Sequence, residues 1–555
     1  MLKFGLAKNM SYINEINQSK HVKKLTVFIL SSLFIFLIFA QSSSAQSTSV
    51  QGYMPPKDAA VASKLATWRD KKFGLFMHWG IYSIPGIVES WSINSEDADW
   101  IPRDSSQNYE DYKRWYFNLN KSFNPLNFDP AVWASAAKQA GMQYVVFTTK
   151  HHDGFALFDT KQSDFKVTAA DVPFSGNPRA NISKEVFQAF REKGMMIGAY
   201  FSKPDWHSEY YWWPRYATPS RYNNYDIRLH PQRWEQFKTY TYKQIEELMS
   251  DYGPIDILWL DGGWVRPKAS INAEVLSWGM PIPEWDQDID MPRIAQMARA
   301  KQPGLIMVDR SVHGEYENYR TPEQQVPDAP LDYPWETCMT MGNAWGYVPN
   351  DSYKSTTTLV HLLIDIVAKG GNFLLDIGPK PDGTLPEPAL LRLAEIGDWM
   401  AVNKEAIYET EPVAPYKSGQ TCFTQKKDGT IYALYLLEEG KPLPPVITIP
   451  ALPKQPKKMQ LLGYKGNIQW KVLDKGAKAT GKGLEIRLPA KMLAHSAAKS
   501  GGSTSGATDS SSRRAGASSR GGAPSSEPAA ASSVSTPSRP VPESRLKHAL
   551  VFRLD

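Results

Sequence analysis

Cysteine is scarce in this chain, since 555 residues contain only Cys338 and Cys422. Two thiols can form at most one disulfide, so the fold does not depend on a disulfide framework. Dense blocks of Lys and Arg are also missing, and the formal net charge of +6 is small for this length. These features argue against nucleic acid as a partner.

Long hydrophobic runs are equally rare, and the one that stands out lies near the N-terminus. Residues 25–40 are mostly apolar, follow three lysines between positions 20 and 24, and precede small residues at 42–45. This order predicts a signal peptide over residues 1–45, with cleavage near Ala45 and a secreted or periplasmic mature chain. The run is shorter than the roughly 20 residues that span a bilayer, so we expect no stable membrane span after cleavage; an uncleaved anchor is the alternative.

The main body, which we predict to be a catalytic domain over residues 46–410, alternates strand-like and helical segments. Predicted strands cover residues 73–78, 144–149, 197–202, 255–261, 305–308 and 373–377, with helices over 130–141, 187–193, 233–252, 291–301 and 356–368. A helix-then-strand rhythm implies a parallel sheet. Polar residues recur at the strand ends, which favours an α/β fold of the (β/α)8-like, TIM-type barrel class.

After residue 410 the rhythm changes to short strands separated by Gly, Pro and Lys, typical of a C-terminal antiparallel β-sandwich over residues 411–555. A stretch rich in Ser, Gly, Ala and Pro, at about 495–542, has too few apolar side chains to offset its ordering entropy. We predict that it is a disordered insert. Residues 548–555 regain strand character and are predicted to return to the sheet.

Polar side chains mark the end of several predicted strands. They are His78, then His151 and His152, then residues 202–206, then Asp261 with two glycines after it, then Asp309 and Arg310. One such residue is most simply a helix cap, a loop residue or a core histidine. Because the carboxyl ends of barrel strands meet on one face, five of them together indicate a site.

Two chemistries fit these residues. Imidazole and carboxylate groups are ligands for zinc or iron, but no His-x-His or His-Glu-x-x-His spacing occurs. Tryptophans near the same tips favour a sugar, which needs hydrogen-bond partners and an aromatic wall. Hydrolysis of a sugar usually needs two carboxylates. Asp261 is the candidate nucleophile, and spacing leaves Glu315, Glu317, Glu323 and Glu336 open as its partner.

Four segments carry a family resemblance. Residues 73–83 (FGLFMHWGIYS), 150–155 (KHHDGF), 258–262 (LWLDG) and 378–383 (GPKPDG) closely resemble the family 29 glycoside hydrolases, the retaining α-L-fucosidases. The resemblance covers about residues 60–410. It implies a (β/α) barrel followed by a β-sandwich, an enzyme that removes terminal α-L-fucose from fucosylated oligosaccharides or glycoconjugates, and no metal or organic cofactor.

The resemblance also assigns roles to residues. It implies that Asp261 is the nucleophile and Glu323, in Thr321-Pro322-Glu323, the acid/base, with Glu317 as a weaker alternative. The fucose-binding positions that it implies are His78, Glu89, Trp91, His151, His152, Tyr200, Trp259 and Arg310. Ser90 separates Glu89 from Trp91, where the family has an adjacent Glu-Trp pair. A non-catalytic fucose-binding protein and a metal-dependent hydrolase are the competing hypotheses.

Overall fold

Seven parallel strands form the largest of three sheets in this computed structural model, which describes residues 52–94, 108–213, 220–279, 281–473, 483–493 and 546–555. The predicted signal peptide and the predicted disordered insert lie outside these residues. The seven strands are β1 (Phe73–Met77), β2 (Tyr144–Lys150), β3 (Met196–Ser202), β4 (Ile257–Asp261), β5 (Ile306–Asp309), β6 (Glu336–Thr340) and β7 (Asn372–Asp376). Their order is β5-β4-β3-β2-β1-β7-β6, so the predicted parallel α/β sheet is confirmed.

Helices connect these strands and cover the sheet. They are α1 (Ala59–Lys71), α2 (Tyr109–Phe117), α3 (Pro130–Gln139), α4 (Ile182–Glu192), α5 (Pro231–Asp251), α6 (Ala273–Ser277), α7 (Met291–Lys301), α8 (Thr356–Ala368) and α9 (Glu387–Asn403). Their starts follow ordinary capping chemistry. Asp129 accepts the amide of Ala131 ahead of Pro130 in the first turn of α3, and Ser355 accepts the amide of Thr358 at the start of α8.

The alternation of side chains along each strand divides the apolar residues into two layers. In β4, Leu258 and Leu260 join the large core that includes the helices, whereas Ile257 and Trp259 join a separate buried cluster with residues of β1, β2, β3, β5, β6 and β7. Successive side chains of a strand point to opposite faces. Asp261 is therefore in phase with the inner cluster.

The curled sheet stops at seven strands, and the described residues contain no eighth strand between β5 and β6. Residues 317–324 run there instead and bond to both edges. The amide of Asn318 donates to Met307 at 2.8 Å, and the amides of Glu336 and Gln324 pair with Arg320 and Cys338, both at 2.9 Å. We call residues 317–324 the seam segment. Strand β6 was missed in the sequence because only Cys338 and Met339 in it are apolar.

Two antiparallel sheets follow. One has the order β12-β15-β10-β9-β8 and the other β11-β14-β13. Their strands are β8 (Thr410–Ser418), β9 (Thr421–Lys426), β10 (Ile431–Leu436), β11 (Val446–Ile449), β12 (Met459–Leu461), β13 (Gln469–Leu473), β14 (Gly483–Arg487) and β15 (Ala549–Leu554). Buried residues of both sheets, among them Phe423, Phe552, Ile447 and Ile486, form one apolar cluster.

The last strand, β15, lies second in the larger antiparallel sheet, between β12 and β10, as the sequence predicted for residues 548–555. Ala549 and Val551 join the core of the parallel sheet and its helices, and Trp399 of α9 donates to the Ala549 carbonyl at 3.1 Å. Cys338 and Cys422 are both buried free thiols. Within the described residues, no helix has the length and apolar character that crossing a bilayer requires.

Candidate active site

Asp261 occupies the tip of β4, where its backbone leaves the sheet. Gly262 follows with φ 87°, and a Cβ at that position would lie 2.2 Å from the ring of Pro204. Only glycine meets both conditions without strain. The tight turn at Gly262 directs the backbone away from the sheet, so the Asp261 carboxylate stays at the end of the inner cluster.

Four groups surround this carboxylate. The Tyr200 hydroxyl donates to Oδ2 at 2.8 Å, the Gly262 amide donates to Oδ1 at 2.8 Å, and Arg310 Nη1 lies 3.2 Å from Oδ1. His152 Nε2 lies 3.6 Å from Oδ2. Burial alone would raise the pKa of Asp261, but Arg310, the Gly262 amide and the Tyr200 hydroxyl outweigh it and hold the pKa well below its ordinary value. Asp261 is therefore ionised across the physiological range.

Arg310, just after β5, joins Asp261 to a second carboxylate. Its Nη2 forms an ion pair with Glu323, and its Nε donates to the Thr321 hydroxyl at 3.3 Å. Glu323 lies on the seam segment and its side chain is 40% exposed. One guanidinium thus contacts both carboxylates, one at a strand tip and the other at the solvent edge.

The other three glutamates named in the sequence lie elsewhere. Glu315 is exposed. Glu317 is buried, accepts the amide of Ser311 at 3.1 Å and pairs with His313 at 2.6 Å. Glu336 begins β6 inside the sheet and accepts the Tyr144 hydroxyl at 2.6 Å. Of the four candidates, only Glu323 contacts the guanidinium that also holds Asp261.

His152 faces the site in a defined tautomer. The Ser202 hydroxyl donates to the Pro204 carbonyl at 2.7 Å, so it accepts from His152 Nδ1 at 2.7 Å. Burial lowers the pKa of His152 well below its ordinary value. The Nε2 atom that faces Asp261 is therefore unprotonated and can accept a hydrogen bond from a hydroxyl.

His78 and His151 are held in the same way by partners that sequence reasoning missed. His78 Nδ1 lies 2.8 Å from Asp376 Oδ1 at the tip of β7, and His151 Nδ1 is hydrogen-bonded to the Ser90 hydroxyl. Burial lowers the pKa of both imidazoles, that of His151 to about 4, and raises the pKa of Asp376 well above its ordinary value. Ser90, which interrupts the family's Glu-Trp pair, thus orients a site histidine.

Aromatic rings build a wall beside His152. Trp91 lies edge-on to His152 with ring centroids 5.3 Å apart, and Trp206 and Trp264 contact both of them. Trp259 is 1% exposed, lies one layer below Asp261 and stacks on Tyr200 at 5.3 Å, so it forms the floor of the site.

Glu89 and Trp345 complete the set of side chains around the site. Glu89 is buried, which raises its pKa to about 7, and its Oε2 lies 3.5 Å from the Gly346 amide. Trp345, absent from the sequence prediction, packs on His78 with centroids 5.1 Å apart. It follows the missed strand β6, so no predicted strand tip pointed to it. The only sequence signal for Trp345 as a site residue was its place in a Trp-Gly pair that follows the polar segment of β6.

Below these side chains, buried ion pairs join the ends of different strands. Lys203 Nζ lies 2.5 Å from Asp309 Oδ1, and the Lys203 amide donates to the Asp261 carbonyl at 2.9 Å. Lys150 Nζ lies 3.0 Å from Asp205 Oδ2. Among the residues that the structure describes, no three His, Cys, Asp or Glu side chains are grouped to hold a metal ion.

Comparison with known proteins agrees with this geometry. Residues 38–405 match the model of the α-L-fucosidase family. The chain is 28% identical to the tissue α-L-fucosidase of Rattus norvegicus over 452 residues, covering 79% of this chain and 90% of the rat protein.

Two solved structures are similar in fold and sequence. α-L-Fucosidase isoenzyme 1 from Paenibacillus thiaminolyticus has a TM-score of 0.59 and 29% identity, covering 78% of this chain and 100% of its own. The Thermotoga maritima α-fucosidase in complex with a mechanism-based inhibitor has a TM-score of 0.60 and 28% identity, covering 80% and 97%. The fold and the paired carboxylates define a glycoside hydrolase. Within that class, the chain belongs to the α-L-fucosidase family.

The buried carboxyl of Glu336 gives a prediction about stability. Burial raises its pKa from 4.5 to about 7. The folded chain therefore keeps a proton that the unfolded chain loses, and wild-type stability falls as the pH rises from about 4.5 through 7. Glu336→Gln cannot titrate. We therefore expect the difference in free energy of unfolding between Glu336→Gln and wild type to shift in favour of the variant between pH 5 and pH 8, by up to about 3 kcal/mol.

Urea unfolding at pH 5, 6, 7 and 8 measures this difference. Glu315→Gln is the matched control, because Glu315 is exposed and its replacement should alter stability by no more than about 0.5 kcal/mol at any pH. A Glu336→Gln difference that stays constant with pH would contradict the prediction.

Proposed function

We propose that this chain is an exported, retaining α-L-fucosidase that hydrolyses terminal α-L-fucose from fucosylated glycans, with Asp261 as nucleophile and Glu323 as acid/base. The observation that carries the proposal is the pair of carboxylates on Arg310. One is buried and ionised, as a nucleophile needs to be. The other is partly exposed, where a leaving group can depart.

In the first step, an Asp261 oxygen bonds to the anomeric carbon of fucose while the bond from that carbon to the glycosidic oxygen breaks. The departing oxygen takes its proton from Glu323. Glu323 acts as the general acid of this step and must carry the proton before the substrate reacts. The product of this step is a fucosyl ester on Asp261 and a free aglycone.

In the second step, Glu323 accepts a proton from water as the water oxygen bonds to the anomeric carbon. The ester bond to Asp261 breaks and the carboxylate is regenerated. Two displacements at one carbon give fucose with its original anomeric configuration. Arg310 and Tyr200 stabilise the Asp261 carboxylate before attack and as it departs.

The remaining site residues bind the sugar in this proposal. The unprotonated Nε2 of His152 accepts from a ring hydroxyl, and His78 and His151 offer further polar contacts. Trp91 and Trp345 supply apolar walls, which suit the C–H face and the methyl group of fucose. Trp259 supports Tyr200 from below.

We also propose that the seven-stranded sheet and the seam segment together act as a TIM-type barrel, catalytic domain 46–410, and that the two antiparallel sheets form a β-sandwich domain over 411–555. Support comes from the inner cluster that all seven strands share and from the apolar core common to both antiparallel sheets.

Export rests on the residues before 46. If the leader is cleaved as its sequence predicts, N-terminal sequencing of protein recovered outside the cytoplasm should begin near Gln46. Recovery of the whole chain in the cytoplasm would contradict export and leave the catalytic proposal intact.

Replacing the nucleophile tests the chemistry directly. Asp261→Gly should reduce hydrolysis of an aryl α-L-fucoside by at least about a thousandfold, because no covalent intermediate can form. Azide fits the space left by the carboxylate and should restore turnover, giving β-L-fucosyl azide by a single inversion. Product configuration is read by NMR. Wild-type rates in the variant would rule out Asp261 as nucleophile.

The acid/base has its own signature. Glu323→Ala should slow a fucosyl oligosaccharide far more than an aryl fucoside with a good leaving group, since only the former needs protonation. Azide should then yield α-L-fucosyl azide, the product of two inversions. Glu317→Ala is the control, and it should show neither effect. Equal losses on both substrates for Glu323→Ala would exclude this assignment.

A further inference from the structure

The guanidinium and the two carboxylates of the site share a feature of their backbone, because the residue after each of them is left-handed. The three charged residues are Asp261, Arg310 and Glu323. The residues that follow them are Gly262 with φ 87°, Ser311 with φ 62° and Gln324 with φ 53°. Glycine adopts a positive φ freely, whereas a residue with a Cβ is strained there and a β-branched residue rarely adopts it.

Ser311 lies in a tight turn at the end of β5. The amide of Val312 donates to the Asp309 carbonyl at 3.0 Å, which closes a four-residue turn with Ser311 in its third place. Turns with a positive φ at this place usually have glycine there. Two contacts hold the serine instead, since its amide donates to Glu317 at 3.1 Å and its carbonyl accepts from Arg266 at 2.7 Å. The turn therefore fixes the direction of the arginine in its second place.

Gln324 makes a bend directly after Glu323. Its amide donates to the Cys338 carbonyl at 2.9 Å, and its side-chain Nε2 donates to the Thr340 hydroxyl at 3.1 Å. Both partners lie on β6, so an exposed residue is fixed to a strand. Strained backbone of this kind persists where surrounding contacts determine it, and it is concentrated at functional sites.

Contacts to β6 lie on both sides of this bend. Glu323 pairs with Cys338 in an isolated bridge before it, and the Gln325 carbonyl accepts the Thr337 hydroxyl at 2.7 Å after it. The left-handed residue between them sets how these two contacts are joined. A residue that cannot be left-handed there would displace Glu323 from its ion pair with Arg310.

These bends have a catalytic consequence, which rests on the proposed function. A general acid must lie within hydrogen-bond distance of the leaving oxygen, and a misplacement of about 1 Å can lower a rate about a hundredfold. We propose that Gln324 and Ser311 are positioning residues, whose left-handed backbones set the places of Glu323 and Arg310. They act through the residues before them, without touching the substrate.

The first test separates the backbone of residue 324 from its side chain. Gln324→Val should lower kcat/KM at least about tenfold for a fucosyl-galactose disaccharide that wild type cleaves, a part of the ~10²–10⁴-fold that a general acid contributes. An aryl α-L-fucoside with a good leaving group should be hydrolysed within about twofold of wild type, since it needs little protonation. Its turnover also shows that the variant has folded. Gln324→Gly should keep the disaccharide rate within about threefold of wild type, because glycine adopts the bend freely.

Gln325→Val is the matched control. Gln325 is also exposed and has no positive φ, so valine there should leave both rates within about twofold of wild type. Gln324→Ala supplies a second comparison if valine prevents folding. The alanine and glycine variants both lack the Thr340 bond, and only alanine strains the bend, so alanine should be severalfold slower on the disaccharide alone. Equal rates for glycine and valine, or for glycine and alanine, would overturn the role of Gln324, as would a valine variant that slows both substrates alike.

Ser311 has a different signature. Ser311→Thr keeps the hydroxyl and adds only a methyl group at Cβ, which disfavours a positive φ. It should lower kcat/KM for both substrates by a similar factor, at least about fivefold, because Arg310 holds the Asp261 carboxylate that both need. Ser311→Gly should keep both rates near those of wild type. A Ser311→Thr variant that slows neither substrate, or only the disaccharide, would overturn the role of Ser311.

Glu323→Ala separates this proposal from the proposed function. If Glu323→Ala slows the disaccharide preferentially and Gln324→Val does not, the acid/base assignment stands and the positioning role is rejected. If Glu323→Ala shows no such preference, the acid/base assignment fails and the role of Gln324 fails with it. Failure of wild type to hydrolyse any fucoside would reject both.

Discussion

The site depends on a single guanidinium placed between two carboxylates. Arg310 lies 3.2 Å from Asp261 and pairs with Glu323, while its plane lies over the Trp259 ring, 5.4 Å from the centroid. Without this cation, burial would favour protonation of Asp261. Repulsion between the ionised forms of Asp261 and Glu323 would favour it further. Arginine fits the role because its planar fork can serve two acceptors in different directions.

The position of Arg310 follows in turn from the pleat of the sheet. Trp259 and Asp261 of β4, and Val308 and Arg310 at the end of β5, are each two residues apart, so each polar group continues an inward-facing apolar series. The Lys203–Asp309 pair then fixes β3 to β5 beneath them. Both polar groups thus stand at the ends of buried strands, and His78 and His152 are held by partners on other strands, Asp376 and Ser202.

Much of the parallel sheet and of the site could be predicted from the sequence, because fully buried strands that end in polar residues give a clear hydrophobic pattern. Residues 73–77, 144–150 and 257–261 combine apolar runs with tip residues, and the helix over 291–301 was predicted at its observed bounds. Strand β6 was not predicted because its inward positions are polar or small, and Glu336 accepts the Tyr144 hydroxyl across the sheet. Because β6 was not predicted, the loop after it, which carries Trp345, could not be placed beside the site from the sequence.

The second carboxylate of the site was harder to predict than Asp261 for a related reason. Spacing left four glutamates open, and only the family resemblance favoured Glu323. What separates them in the structure is long-range pairing. Glu317 is drawn inward by His313, and Glu336 belongs to a strand, whereas Glu323 reaches Arg310. The Ser90–His151 bond and the Asp376–His78 bond join residues 61 and 298 positions apart, which no local pattern reveals.

The seam segment has a consequence for how such an enzyme can change over generations. Asp261 is locked to a ladder, so one inserted or deleted residue near it would reverse the faces of a whole strand. Residues 317–324 are held by isolated bridges rather than a continuous ladder. An insertion there moves Glu323 without shifting the register of any strand. Lineages built on this fold can therefore relocate the proposed proton donor and accept new leaving groups while Asp261, the proposed nucleophile, stays in place.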